Sequence, residues 1–474
     1  MKTLFLLTVC FLLAHLCAPR GNAQALAHAQ PPDSSSPGAP DRDALLAPTP
    51  PMGWNSWDSY GATINEGDFK ANAGWFAEHL RPYGWQYVTV DMEWFVSNPV
   101  PEGNGKASTY SFDTYGRYIP ALNRFPSSAN GAGFKALADY VHSLGLKFGI
   151  HILRGVPKSA VEKKLPIEGS PYTADSAADP ADTCPWNPDN YGTNPSHPAA
   201  QAYYDSIARL YAQWTVDLIK VDCISSRPYK GDDIRMLRLA LNKTGRSIAL
   251  SLSPGAAPLD KTAEMRKYAE QWRISDDIWD LWHSDVAYPQ GLGDQFPRAA
   301  EWAALVQAGH WPDADMLPIG YLGPAPGWGQ ARQTRLTHDE QRTLLTLWCI
   351  FRSPLMIGAN LTVMDPWTTS LLTNREVLAV DQASADNRQL FATGKVVVWM
   401  ARPEGGRGYY LAVFNLDEAE QKVEYGWKDL GLAESSYSLR DLWEHKDLGS
   451  SPALSLSLAP HGAALFRVAA GPPH

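Results

Sequence analysis

The chain has 474 residues, 45% of them hydrophobic and 19% charged, with a net charge of −9. This balance fits a globular protein and excludes a disordered or fibrous one. It also leaves no basic field for nucleic acid or an anionic membrane surface, so neither is expected as a partner. The 18 Trp and 20 Tyr suit either an aromatic-rich core or a pocket for sugar rings, whose C–H faces stack on indoles.

The chain opens with the basic Met1-Lys2-Thr3, an apolar run from Leu4 to Ala18, and the small-residue site Gly21-Asn22-Ala23. This pattern predicts a cleavable signal over residues 1–23 and a secreted or periplasmic protein. The run is too short for a span of about 20 residues, and no membrane span is expected. Residues 24–47 are Ala-, Pro- and Ser-rich without periodicity and read as a flexible tether.

From 48 to 378, short apolar runs alternate with amphipathic stretches. The runs are Tyr87–Val90, Lys147–Ile152, Val216–Val221 and Ser247–Leu252. Between them, Phe69, Ala73, Phe76 and Leu80 share one helical face, as do Phe134, Leu137, Val141 and Leu144, with Gly145 as a C-terminal stop. Thr337-His338-Asp339-Glu340 is a capping box opening an apolar helix. Repeated alternation implies parallel strands. Its length, and the lack of a Gly-rich phosphate turn after the first strand, favour a (β/α)8 TIM barrel over an open dinucleotide-binding sheet. Over 379–474 the helical signal stops. Val396–Met400, Tyr409–Phe414 and Gly462–Val468 read as strands of a C-terminal antiparallel β-sandwich.

Cys10 and Cys17 fall in the leader. Of the remaining three, Cys184 and Cys223 flank the motif described next and are expected to pair, leaving Cys349 as an inert core thiol. Asn242-Lys243-Thr244 and Asn360-Leu361-Thr362 fit the glycosylation pattern of a eukaryotic source.

Reactive groups of a parallel barrel sit at the C-terminal ends of its strands. Lys220-Val221-Asp222 puts a cation and a carboxylate on one face of an apolar strand; a buried structural ion pair is the other reading. Trp272–Trp279 holds Asp276 and Asp277 among indoles and isoleucines, where desolvation raises a carboxyl pKa as a general acid requires. One of the two Asp is also expected to cap a helix. Trp311–Met316 carries Asp313 and Asp315, and Val90–Trp94 carries Asp91 and Glu93, which share a face. Carboxylates across a barrel mouth are what glycoside hydrolysis needs. The motifs of zinc hydrolases, serine hydrolases and phosphate loops are missing from the sequence, and no metal or cofactor is expected.

At these residues the sequence resembles glycoside hydrolase family 27, the α-galactosidase and α-N-acetylgalactosaminidase group. Pro50–Trp57 is similar to that family's opening strand, Lys220–Cys223 to its nucleophile strand, and Arg273–Ile278 to its acid/base strand. Trp311–Leu317 resembles a further segment, and Arg440–Trp443 with Pro460–Gly462 resembles the C-terminal sandwich. The resemblance implies Asp222 as nucleophile and Asp277 as acid/base of a double displacement with retention. It implies a sugar subsite lined by Trp57, Asp91, Lys220, Arg273 and Asp315. The two catalytic carboxylates are expected to face one another across a shared pocket.

Three positions depart from the α-galactosidase pattern. Met92, followed by Glu93, stands where a second Asp is usual. Ser253 replaces a Glu that reads O2, and His151 replaces a Tyr. Glu93, His151 and Ser253 are therefore also expected in the subsite. The expected substrate is an oligosaccharide or glycoconjugate with a terminal α-D-galactosyl group. Alternatives are a β-L-arabinopyranoside, an α-N-acetylgalactosaminide or an isomaltosyl linkage on the same mechanism, and a non-catalytic carbohydrate-binding protein. Metal-assisted hydrolysis would require activity lost to a chelator and restored by metal.

Overall fold

A computed structural model describes residues 45–470, apart from 104 and 106. The expected leader and nearly all of the tether lie outside the described residues. The last tether residue does not: Ala47 is buried, and its carbonyl accepts a 2.8 Å hydrogen bond from the Trp311 indole. The chain is thus fastened to the barrel before residue 48, because a buried indole N–H needs an acceptor.

Eight parallel strands form the barrel: β1 Met52–Asn55, β2 Tyr87–Val90, β3 Lys147–Leu153, β4 Leu218–Asp222, β5 Ala249–Leu252, β6 Gln271–Arg273, β7 Trp311–Asp313 and β8 Leu355–Ile357. The sheet order is β7-β6-β5-β4-β3-β2-β1-β8. Strands adjacent in sequence therefore pair in space, and β8 returns to β1. The seam between β7 and β8 is closed by the Leu317–Ile357 bridge, with the Leu317 N–H donating to the Met356 carbonyl at 2.7 Å. The result is the expected TIM-type barrel.

Helices cover the outside in the order the periodicity predicts. In α1 (Glu66–His79) and just after it, Phe69, Ala73, Phe76 and Leu80 are all fully buried. In α2 (Lys135–Ser143), Leu137 and Val141 face inward, and Gly145 follows at φ +73°, a left-handed stop open to glycine. In α3 (His338–Phe351), the Thr337 hydroxyl accepts from the Glu340 N–H while the Glu340 carboxylate accepts from the Thr337 N–H. No helix starts at Asp276 or Asp277; the next one begins at Gln295. Both carboxylates are engaged by arginines instead, which corrects the capping expectation.

The strands of the C-terminal sandwich begin at Ser384, after a helix Arg375–Gln382 that spans position 378. Asn374 caps that helix by accepting from the Glu376 and Val377 N–H groups. Strands β9 Ser384–Ala392, β10 Val396–Pro403, β11 Tyr409–Asn415, β13 Tyr437–Asp441, β14 Lys446–Ser451 and β16 Ala463–Ala470 form one sheet; β12 Gln421–Gly426 and β15 Ala453–Leu458 form a facing pair. The run Val396–Met400 is apolar throughout because both faces of β10 are covered. Val396, Val398 and Met400 pack inside the sandwich, whereas Val397 and Trp399 join the core shared with the barrel. The sandwich docks on α3, where His461 meets Glu340 at 2.8 Å and the Trp443 indole donates to Thr346 at 3.0 Å.

The Cys184–Cys223 disulfide is present, and Cys349 is a buried free thiol. Asn360 is buried, with its amide oxygen accepting from the Thr362 N–H, so this sequon does not present its side chain for modification. Among the described residues no helix is long and apolar enough to cross a membrane.

Candidate active site

The C-terminal ends of the strands converge on a cavity of about 480 Å³. Asp222 ends β4 there. Its Oδ1 accepts the Cys223 N–H at 2.6 Å, and its Oδ2 lies 3.3 Å from Nε2 of His151, which projects from β3. Cys223 adopts a left-handed φ of +61°, which turns its amide back onto the preceding carboxylate, and the disulfide ties that residue to Cys184.

Lys220 leaves the same face of β4, two residues earlier. Its ammonium donates to Asp91 Oδ2 at 3.0 Å, and the Asn55 amide donates to the same oxygen at 2.7 Å. The Met92 N–H satisfies Asp91 Oδ1 at 2.8 Å. Burial would raise the Asp91 carboxyl, but Lys220, then His151, the Met92 N–H and Asn55 overrule it and hold it well below the usual range. Asp91 is a fixed anion, and Lys220 is held as a cation by Asp91, Asp277 and Asp222 against its own desolvation.

Asp277 faces the same cavity from the segment after β6. Arg273, buried at the end of β6, reaches Asp277 Oδ1 at 3.2 Å and Asp315 Oδ1 at 2.7 Å. The Ile278 N–H holds Asp315 Oδ2 at 2.7 Å. Burial drives the Asp277 carboxyl upward; Arg273 and Lys220 oppose this, whereas Asp222 and Asp276 add to it. Asp315 is raised as well, by burial and by its neighbour Asp277, against Arg273. Asp277 is thus a carboxyl that keeps a proton more readily than an exposed one, placed in one cavity with a carboxylate that accepts a backbone N–H. That is the chemical requirement for protonating a leaving group beside a nucleophile.

Trp57, Asp91, Lys220, Asp222, Ser253 and Asp277 all line this cavity. Arg273, Asp315 and His151 are not in its lining but next to it: Arg273 bridges Asp277 and Asp315, and His151 meets Asp222. Glu93 is not brought to it. β2 ends at Val90 and Glu93 has a left-handed φ of +58°, so it does not share a face with Asp91; it is buried beside Gly103. The alternation expected of a strand fails where the strand has stopped.

Met92, the departure noted in the sequence, lines the cavity. Trp328, Tyr288 and Trp186, which the sequence did not single out, reach it as well. Asp58, the residue after Trp57, is buried behind it with Oδ2 lacking a hydrogen-bond partner. Its carboxyl is pushed well up by burial and by Asp315, Asp277 and Asp91, with Lys220 acting in the opposite direction. Its place just after β1 was the available signal. Trp328 and Tyr288 sit on long loops, where no periodicity announces which way a ring points.

The family profile described as "Alpha galactosidase A" matches residues 189–383, and "Alpha galactosidase C-terminal beta sandwich domain" matches 393–468. Alpha-galactosidase 3 of Arabidopsis thaliana is 30% identical over 411 residues, covering 85% of this chain and 77% of that protein. Among solved structures, a family 27 β-L-arabinopyranosidase from Geobacillus stearothermophilus is 46% identical with a TM-score of 0.85, covering 90% of this chain and 97% of that one. A putative α-N-acetylgalactosaminidase from Bacillus halodurans is 40% identical with a TM-score of 0.78, covering 89% and 98%. With barrel, sandwich and cavity of one lineage, the chain belongs to the α-galactosidase family of glycoside hydrolases, family 27.

Proposed function

We propose that this enzyme is a retaining exo-glycosidase that removes a terminal galacto-configured pyranosyl unit, with β-L-arabinopyranosyl the preferred sugar. The observation that carries the mechanism is that Asp222, held by the Cys223 N–H, and Asp277, whose carboxyl is raised by burial, line one cavity. Asp222 attacks the anomeric carbon as Asp277 delivers its proton to the departing oxygen. Asp277, now ionised, takes a proton from the water that attacks the glycosyl-enzyme, which releases Asp222 and restores the starting state. Asp91 and Lys220, locked to each other, present fixed charges to the sugar hydroxyls, and Trp57 offers its ring an apolar wall.

Met92 supports the choice of sugar. It lines the cavity where α-galactosidases carry a second Asp, so a hydroxyl facing it finds no acceptor and loses hydrogen bonding on leaving water. β-L-Arabinopyranose is galactose without its hydroxymethyl arm and has one hydroxyl fewer to satisfy. The similarity to a β-L-arabinopyranosidase points the same way. The second reading is an α-D-galactosidase, favoured by the family profiles and the Arabidopsis relative. The leader pattern in residues 1–23 supports export.

The test is kcat/KM on nitrophenyl β-L-arabinopyranoside, α-D-galactoside, α-N-acetylgalactosaminide and α-glucoside, with the product anomer followed by NMR. The expected order places the arabinopyranoside first and the galactoside second, each with retention. Inversion would remove the mechanism, a galactoside preference would select the second reading, and zero turnover on all four would leave a binding protein.

A further inference from the structure

The outer wall of the cavity is built around Trp328. Behind its indole lies Arg332, whose guanidinium sits 5.1 Å from the Trp328 ring centroid and 5.5 Å from that of Trp279; Arg335 adds a second cation at 5.6 Å from Trp328. Arg332 is itself immobilised. Its Nε donates to Asp280 Oδ2 at 2.9 Å, and its Nη1 donates to the Trp328 carbonyl at 3.1 Å and the Gln330 carbonyl at 2.8 Å. Asp280 is buried and also accepts the Arg335 N–H. Ring and backbone of Trp328 are therefore gripped by one buried ion pair.

The same loop is fastened to the turn that carries Trp57. The Gly327 N–H donates to the Trp57 carbonyl at 3.1 Å and the Ala325 N–H to the Ser59 carbonyl at 3.0 Å. Trp57 and Trp328 thus stand at a fixed offset along one cavity. Arg227 and Asp276 form an ion pair that also lines this cavity, with more than half of the Arg227 side chain exposed to solvent. A volume of about 480 Å³ lies in the range that takes a ligand larger than a single ring.

We propose that the mouth is a second subsite that binds the leaving group as a pyranose ring, its C–H face stacked on Trp328 and its hydroxyl edge hydrogen-bonded by Arg227 and Asp276. This rests on the glycosidase reading above. A preorganised indole offers stacking area at little entropic cost, and the charged pair in the same lining supplies donors and acceptors that a sugar edge can use and a plain aryl group cannot. The preferred substrates are accordingly di- or oligosaccharides rather than aryl or alkyl glycosides of the same sugar.

The experiment compares kcat/KM for three glycosides of one sugar, with methyl, nitrophenyl and pyranosyl leaving groups, in the wild type, Trp328→Ala, Trp328→Phe and Arg227→Ala. The ratio of pyranosyl to methyl glycoside is expected to fall about tenfold in Trp328→Ala, to fall in Arg227→Ala, and to be largely kept in Trp328→Phe. Circular dichroism and melting temperature establish that each variant is folded. A ratio unchanged in Trp328→Ala, or rates for all three glycosides falling together, overturns the subsite. Loss confined to the nitrophenyl glycoside overturns the pyranose assignment in favour of an aromatic group. If the wild type cleaves none of the three, the glycosidase reading fails by itself. Calorimetry then decides the subsite, which stands if the disaccharide binds more tightly than the lone sugar in the wild type but not in Trp328→Ala.

Discussion

Lys220 and Asp91, 129 residues apart in sequence, meet at 3.0 Å in the floor of the cavity with both side chains largely withdrawn from solvent. Each justifies the other's charge. Replacing Lys220 by Met leaves Asp91 as a buried uncompensated anion, and the expected cost is about 3–5 kcal/mol of stability, read from denaturant unfolding at neutral pH. The Asp91 carboxyl is depressed in the folded state. Its stabilising contribution is therefore complete above the unfolded carboxyl pKa of about 3.9 and is lost only as pH falls toward the folded value. The destabilisation of Lys220→Met should thus shrink in strong acid, and a deficit that grows there would contradict the pairing.

Asp222→Asn and Asp277→Ala should fail differently. The first is expected to remove turnover on every substrate. The second should lose about 10²–10⁴-fold on substrates that need protonation while keeping the first step on a dinitrophenyl glycoside, with azide intercepting the intermediate to give a glycosyl azide of retained configuration. An azide product of inverted configuration from Asp277→Ala would exchange the two roles.

The pH profile of kcat/KM should fall on its basic side as Asp277 loses its proton. Arg273 acts to lower the Asp277 carboxyl, and burial to raise it. Replacing Arg273 by Met removes the lowering charge, so the basic limb should move to higher pH as the overall rate drops. Movement toward lower pH would mean that a different group governs that limb.

Gly327 lies against the flat of the Trp57 indole: a Cβ added there would sit 2.2 Å from Trp57 Cε2. Gly327→Ala must displace one of the two. A shift of about 1 Å in the wall of the sugar site is expected to lower kcat/KM by roughly 100-fold, with little change in melting temperature. Wild-type kinetics would show that Trp57 does not set the position of the ring.

The disulfide closes a loop of 39 residues and fixes Cys223, whose N–H holds Asp222, the proposed nucleophile. Cys184→Ser is expected to cost about 4 kcal/mol by loop-closure entropy and to lower kcat more than it raises KM. Thermal melts and steady-state kinetics with and without reductant check both.

Local pattern determined the barrel, the helical faces, the capping box at Thr337 and the change to antiparallel strands, because each rests on a repeat that survives within a few residues: two per strand turn, 3.6 per helix turn. The adjacency of Lys220 and Asp222 on one strand face was legible for the same reason. Only the tertiary structure decided which groups share the cavity. Strand alternation puts Glu93 on the face of Asp91, but β2 stops three residues too early and the backbone turns it away. The places of Asp58, in the short helix Trp57–Tyr60, and of Trp328, on a loop, depend on clamps to distant partners, Ser59 on Gly358 and Arg332 on Asp280, which no local pattern announces. Charge pairing across a barrel mouth is a matter of three-dimensional closure, and no window along the chain contains both halves of it.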